Sequence, residues 1–272
     1  MNFDPRIRTE SLTIAYERNI IVSELDLTIP SGEITALVGA NGSGKSTILK
    51  AIGRILKVKS GHIFLDGTNL KEMATKAISK RLTILPQNPQ SPRGLRVDEL
   101  VAYGRAPHQT GFNHLSREDK EIIYNALDQA GVLAYAYREL ESLSGGQMQR
   151  VWIALALAQQ TDILLLDEPT TFLDMSYQMD VLHLLEKLNR TQQCTIVMVV
   201  HDLNHASRFS DYMVAIKDGS IVKQGTPSEV MLPNVLKDVF DIEADIIPDP
   251  RLGYPLCIPY ATTRTDTGAS RI

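Results

Sequence analysis

The chain has 272 residues, enough for one large domain or two small ones with a substantial buried core. Apolar residues at 43% and charged residues at 22%, with 17 Gly and 13 Pro, exclude disordered, collagen-like and coiled-coil classes. Lys plus Arg number 28 against 32 Asp plus Glu, a formal net charge of −4, so no overall basic character is available to hold nucleic acid by counterion release, and no nucleic-acid partner is expected.

At the N-terminus, Asp4, Arg6, Arg8 and Glu10 interrupt any apolar stretch of the secretory kind, and the protein is expected to stay where it is made. Residues 11–15 and 25–29 alternate apolar and polar, which predicts antiparallel strands solvated on one face, and residues 62–65, closed by Asp66-Gly67, are expected to join them. Residues 34–38 are instead continuously apolar, as are 163–166 and 195–200, the pattern of parallel strands buried on both faces. Stretches 45–54 and 176–190 read as crossover helices, which makes the class α/β. Between Asn88 and Gly145 the strand signal fades. Ser116 is a candidate N-cap, followed by Ile122, Ile123, Ala126, Leu127 and Ala130 at helical spacing, so this section reads as a helical insert bounded by the prolines of 86–92 and 105–108. The apolar neighbourhood 151–166 is broken by Gln159, Gln160, Thr161 and Asp162, short of the roughly 20 apolar residues of a membrane span. Two cysteines, Cys194 and Cys257, are too few for a disulfide framework and point to a reducing compartment. A hairpin is predicted around Lys217-Asp218-Gly219, its Gly supplying a positive φ, and 262–272 reads as a frayed polar tail.

Chemistry concentrates at the ends of the three buried strands. Gly39-Ala40-Asn41-Gly42-Ser43-Gly44-Lys45-Ser46-Thr47 satisfies G-x-x-x-x-G-K-S/T between a strand and a helix. The glycines let backbone N–H groups turn toward phosphate oxygens, the helix adds its positive end, Lys45 neutralises the outer phosphates and Ser46 can ligate Mg²⁺, so a nucleoside triphosphate is implied. The second strand ends in Asp167 and Glu168, where Asp167 would hold Mg²⁺ through its water shell and Glu168 would polarise the attacking water. The third ends in His201, placed to orient that water and bond the γ-phosphate if the three strands are parallel. Ser144 and Gln147 form a capping box at the start of the apolar helix 151–158. The intervening Gly145 and Gly146 cost about 1 kcal/mol each within a helix relative to Ala, which a close backbone contact to phosphate would explain.

In this order the landmarks resemble the ABC ATPase family: P-loop, glutamine loop, the Leu143-Ser144-Gly145-Gly146-Gln147 signature, a strand-terminal Asp167-Glu168, a D-loop and a switch histidine. The resemblance covers about residues 7–230. It implies a P-loop NTPase core with a mainly parallel sheet (1–87 and 159–240), a flanking antiparallel β subdomain, a helical subdomain inserted at 88–158, and a C-terminal extension with a flexible tail at 241–272. It further implies Tyr16 stacking on adenine, Gln87 as a mobile contact to Mg²⁺, and Asp174 as the D-loop aspartate. Read alone, Tyr16 is an ordinary half-exposed strand aromatic, Gln87 a loop amide and Asp174 an N-cap for the helix through Val181. Met148 and the trio Thr171-Phe172-Leu173 depart mildly from the family pattern.

The tract Val101-Ala102-Tyr103-Gly104-Arg105-Ala106-Pro107-His108, the segment Glu168 to Asp174 with Gln178, and the tail segments 225–230 and 249–255 resemble ATP-binding subunits of importers for iron(III)-siderophores, haem and cobalamin. The resemblance implies a head-to-tail homodimer around two ATP and two separate transmembrane permease subunits. Indirectly it implies a periplasmic or surface substrate-binding protein, with this subunit peripheral on the cytoplasmic face of the inner membrane. Iron chelate is the leading cargo, cobalamin or haem the alternatives; a soluble assembly factor of the iron–sulfur type is the reading from a different class.

Overall fold

The computed structural model describes residues 5–90, 92–109 and 115–263. In chain order it opens with β1 (Pro5–Tyr16), β2 (Asn19–Leu25), β3 (Thr28–Pro30) and β4 (Ile34–Val38), then helix α1 (Lys45–Ile52), β5 (Ser60–Leu65), β6 (Thr68–Asn69), α2 (Thr75–Ser79) and β7 (Leu82–Leu85). The next stretch is helical: α3 (Val97–Ala102), α4 (Arg117–Gln129) and α5 (Gly145–Ala158). Then follow β8 (Ile163–Asp167), α6 (Met175–Gln192), β9 (Thr195–Val199), α7 (Leu203–Phe209), β10 (Tyr212–Lys217), β11 (Ser220–Gly225), α8 (Pro227–Val230), α9 (Pro233–Phe240), β12 (Ile242–Pro248) and β13 (Pro255–Thr262).

The central sheet has the order β11-β10-β4-β9-β8-β7, with every pair parallel except the β10–β11 hairpin at one edge. Its inner strands are largely apolar because both faces are buried. Ala36, Val38, Leu164, Leu166, Ile196 and Met198 enter one core with the helical stretch and α6. Leu37, Ile163, Leu165, Val197 and Val199 point the other way, into a core shared with α1 and the antiparallel sheet. Each such side chain withdrawn from water stabilises by about 1.5–3 kcal/mol, so the alternation fixes strand register on both sides at once.

The antiparallel sheet runs β2-β1-β5-β6, with β3 also paired to β1. Residues 25–29 do not form the single strand expected from their alternation. At Asp26 and Leu27 the Thr9 hydroxyl enters the ladder, donating to Leu25 O at 2.6 Å and accepting from Leu27 N at 2.8 Å, and this divides β2 from β3. The β10–β11 turn uses positive φ at both Asp218 (48°) and Gly219 (75°), the pattern of a two-residue hairpin loop.

The end of the chain is more ordered than its composition suggests. Thr262, expected in a frayed tail, pairs with Ile242 in the hairpin of β12 and β13. Thr263 N donates to Asp241 O at 2.8 Å, and the rest of the expected tail, 264–272, lies outside the described residues. Pro248, Pro255 and Pro259 fit because each strand of a two-stranded sheet is an edge, where a missing N–H breaks no interior ladder. No helix among the described residues is long and apolar enough to cross a membrane.

Candidate functional site

Four neighbouring parallel strands, β4, β9, β8 and β7, deliver the candidate residues to one edge of the central sheet. The loop after β4 carries residues 39–44 into α1; β8 ends at Asp167 and Glu168; His201 follows β9 by two residues; Gln87 follows β7 by two. A ligand crevice outside the carboxyl ends of the strands is what an open parallel sheet provides.

The loop between β4 and α1 is wrapped tightly. Gly44 caps α1 with φ 101°, a conformation that L side chains rarely adopt. A Cβ on Gly39 would sit 2.2 Å from Ile216 O, so only glycine passes there. Lys45 Nζ is buried and donates to Gly39 O and Ala40 O, both at 2.8 Å. Burial lowers the Lys45 pKa below the ordinary 10.5, and the Glu168 and Asp167 carboxylates act against that shift. From behind, the β10–β11 turn supports the loop: Gly219 N donates to Ser43 O at 3.0 Å.

Asp167 is almost wholly buried. Its Oδ1 accepts from Ser46 Oγ at 2.6 Å, Lys50 Nζ stands 3.7 Å from Oδ2, and Oδ2 has no hydrogen-bond partner. A hydroxyl beside a carboxylate with an unused buried oxygen is a hard-oxygen donor set that fits Mg²⁺, which binds through one or two protein oxygens plus phosphates.

Glu168 adopts φ 55°, an unfavourable backbone for a non-glycine residue, and its carboxylate is held from three directions. Gln87 Nε2 donates to Oε2 at 2.5 Å, Thr171 Oγ1 donates to the same oxygen at 2.9 Å, and His201 Nε2 lies 2.6 Å from Oε1. These contacts hold the Glu168 carboxylate at the mouth of the P-loop. A cleft of about 320 Å³ there is lined by Tyr16, Ile21, Asn41, Gly42, Gly44, Lys45, Ser46, Thr47, Glu168 and His201. Tyr16, at the end of β1, is 46% exposed.

Ser144, Gly145, Gly146 and Gln147 are not among the residues lining this cleft. They form the N-terminus of α5 as a capping box, with Ser144 Oγ accepting from Gln147 N at 3.3 Å and Gln147 Oε1 from Ser144 N at 3.0 Å. The two glycines differ. Gly146 is buried and a Cβ there would meet the Tyr177 ring at 2.8 Å, whereas a Cβ on Gly145 meets nothing within 4 Å. Close approach inside the chain therefore explains Gly146, and Gly145 faces open space. Asp174 caps α6, its Oδ1 accepting from Tyr177 N at 3.0 Å, and it too lies away from the cleft.

Thr171, Lys50 and Ile21 contribute to the site without having been identified in it from sequence. Thr171 reaches Glu168 because the chain turns back immediately, with Thr171 N donating to Glu168 O at 3.3 Å. No spacing rule marks Lys50 or Ile21.

The fold and the site define a P-loop nucleotide hydrolase of the cassette type. Residues 22–171 match the ABC transporter family, and the chain belongs to that family as an ATP-binding, ATP-hydrolysing subunit. It is 54% identical over 254 residues to the iron(3+)-hydroxamate import ATP-binding protein FhuC of Bacillus subtilis (strain 168), covering 93% of this chain and 94% of that protein. It is 51% identical over 258 residues to the petrobactin import ATP-binding protein FpuD of Bacillus anthracis, covering 95% and 94%. A solved metal-chelate type ABC transporter in an inward-facing conformation shares the fold at TM-score 0.82 and 27% identity, covering 95% of this chain and 98% of that one. Cassettes of this family dimerise and, in importers, work with permease subunits.

Proposed function

We propose that this subunit hydrolyses ATP to power import of an iron(III)-siderophore or related iron chelate through separate membrane permeases. The convergence of the P-loop, Glu168, His201 and Gln87 on one sheet edge carries the hydrolytic part, and the two siderophore-import relatives support the cargo.

In this reading Tyr16 stacks on adenine. The amides of residues 39–44 and Lys45 bind the phosphates, and Thr47 closes the phosphate side of the cleft. Ser46 and Asp167 would hold Mg²⁺, with Gln87 a further contact to it, and the ion would supply charge neutralisation of the phosphates. Glu168 accepts the proton of the attacking water, and His201 orients that water and bonds the γ-phosphate. Thr171 and Gln87 fix the Glu168 carboxylate so that one oxygen faces the water.

Ser144 to Gln147 serve the P-loop of a second copy, since they do not line their own cleft, and Asp174 lies with them on the face toward that copy. ATP thus closes a homodimer, because Ser144 and the Gly145 amide gain charge-assisted hydrogen bonds to γ-phosphate only when the halves meet. The domain reading follows: a single ATPase unit over 1–240, with the helical stretch 88–158 passing the closing motion to the permeases and 241–272 as an extension. The subunit would work peripherally on the cytoplasmic face of the membrane, with a substrate-binding protein delivering cargo from outside.

Affinity purification from solubilised membranes, followed by mass spectrometry, tests this reading. Integral permeases of an iron-chelate importer are the expected co-purifying proteins. Recovery only in soluble complexes would replace the reading with an assembly factor, and recovery with a cobalamin or haem permease would replace the cargo.

A further inference from the structure

Directly after His201, Asp202 caps the short helix α7, its Oδ1 accepting from His205 N at 2.8 Å. Two residues beyond Asp202, Asn204 turns both ends of its amide toward a single residue of β13. Its Oδ1 accepts from Cys257 N at 2.7 Å and its Nδ2 donates to Cys257 O at 3.2 Å. One turn on, Ser207 Oγ donates to Pro255 O at 2.7 Å. The Asn204 side chain thus pairs with the edge of β13 as a neighbouring strand residue would. β13 is itself anchored, since Cys257, its cross-strand partner Ile246 and, farther along β12, Ala244 pack into the main core.

A seven-residue helix has little intrinsic stability, so its position is set by such tertiary anchors. His201 sits on the short connection between β9, fixed inside the sheet, and α7, fixed by this clamp. Its Nε2 must stay beside Glu168 Oε1, and misplacement of a reacting group by about 1 Å can cost on the order of 10²-fold in rate.

We infer that Asn204 is a positioning residue for ATP hydrolysis: through Cys257 it ties the connection that carries His201 to the C-terminal hairpin. The hairpin therefore holds the hydrolytic site in register. This inference rests on the role proposed for His201.

The test compares Asn204→Leu, which can make neither bond, with Asn204→Asp, which can accept from Cys257 N but cannot donate to Cys257 O. Both are placed in the full chain, alone and with His201→Ala. Asn204→Leu is expected to lower kcat about tenfold with KM for ATP changed less than twofold, Asn204→Asp to fall between it and wild type, and Asn204→Leu to lower the residual rate of His201→Ala less than twofold, because residues acting as a unit are non-additive. An equal tenfold loss in both backgrounds, or a parallel loss of nucleotide binding and melting temperature, would make Asn204 a scaffold residue and overturn the inference. If His201→Ala lowers kcat and folded Asn204→Leu does not, the inference alone fails. If His201→Ala leaves kcat unchanged, the assignment of His201 fails first and the clamp with it. Should Asn204→Leu not fold, Ser207→Ala removes one bond of the same clamp; a two- to threefold loss of kcat that vanishes in the His201→Ala background is expected, and an unchanged kcat counts against the clamp.

Discussion

Lys45 and Glu168 show what the site spends to be ready for a polyphosphate. A buried ammonium and a non-glycine residue at φ 55° are each unfavourable, the latter by about 1–3 kcal/mol, and both persist because surrounding bonds over-determine them. Burial lowers the Lys45 pKa, and a bound triphosphate prefers the charged form. Nucleotide affinity should therefore weaken at alkaline pH before the ordinary lysine value of 10.5 is reached. Titrating a fluorescent ATP analogue across that range should show this loss in the wild type and a flatter profile in Lys45→Arg; equal profiles would remove Lys45 as the cause. At this scale the sequence revealed the residues whose type and strand-end position coincide, Lys45, Asp167, Glu168 and His201. It hid Thr171 and Lys50, whose contacts depend on a tight backbone reversal and on the packing of α1 against β8.

Among the elements, three of the parallel strands, β4, β8 and β9, were legible because burial on both faces writes a nearly unbroken apolar run, and α4 because its cap and its apolar spacing agree. The division of β2 from β3 was not, since it arises from one threonine hydroxyl on a strand distant in sequence. The C-terminal hairpin was hidden by its prolines, which usually argue against a strand and are harmless only where no inner strand exists. The paired glycines that open α5 looked alike in sequence and part company in the fold. Gly146→Ala should destabilise the protein by about 1–3 kcal/mol through the clash with Tyr177, whereas Gly145→Ala should leave stability unchanged or raise it by up to about 1 kcal/mol. Denaturant midpoints measure this difference; equal midpoints would mean that Tyr177 relaxes freely. If Gly145 meets the phosphates of a second copy, Gly145→Ala should still lose ATPase activity while remaining at least as stable as the wild type.

On the scale of the whole molecule, the residues proposed to serve one nucleotide are divided. The cleft is lined by P-loop residues with Glu168 and His201, whereas Ser144 to Gln147 lie elsewhere, at the capped N-terminus of α5. The same capping box that opens α5 also leaves Ser144 and Gly145 exposed, free to meet a second copy in the proposed dimer. Nucleotide-dependent closure of two copies is the claim on which the transport account depends. Glu168→Gln, which removes the base and keeps its shape, should retain ATP binding and lose turnover by about 10²- to 10⁴-fold. Light scattering on this variant, alone and with its membrane partners, measures the claim most directly. The account predicts a mass of two chains with saturating ATP and Mg²⁺ and of one chain without nucleotide for the isolated subunit, together with ATP-dependent closure of the paired subunits in the complex. A variant that binds ATP yet stays single in isolation, with its two copies apart in the complex, would contradict it.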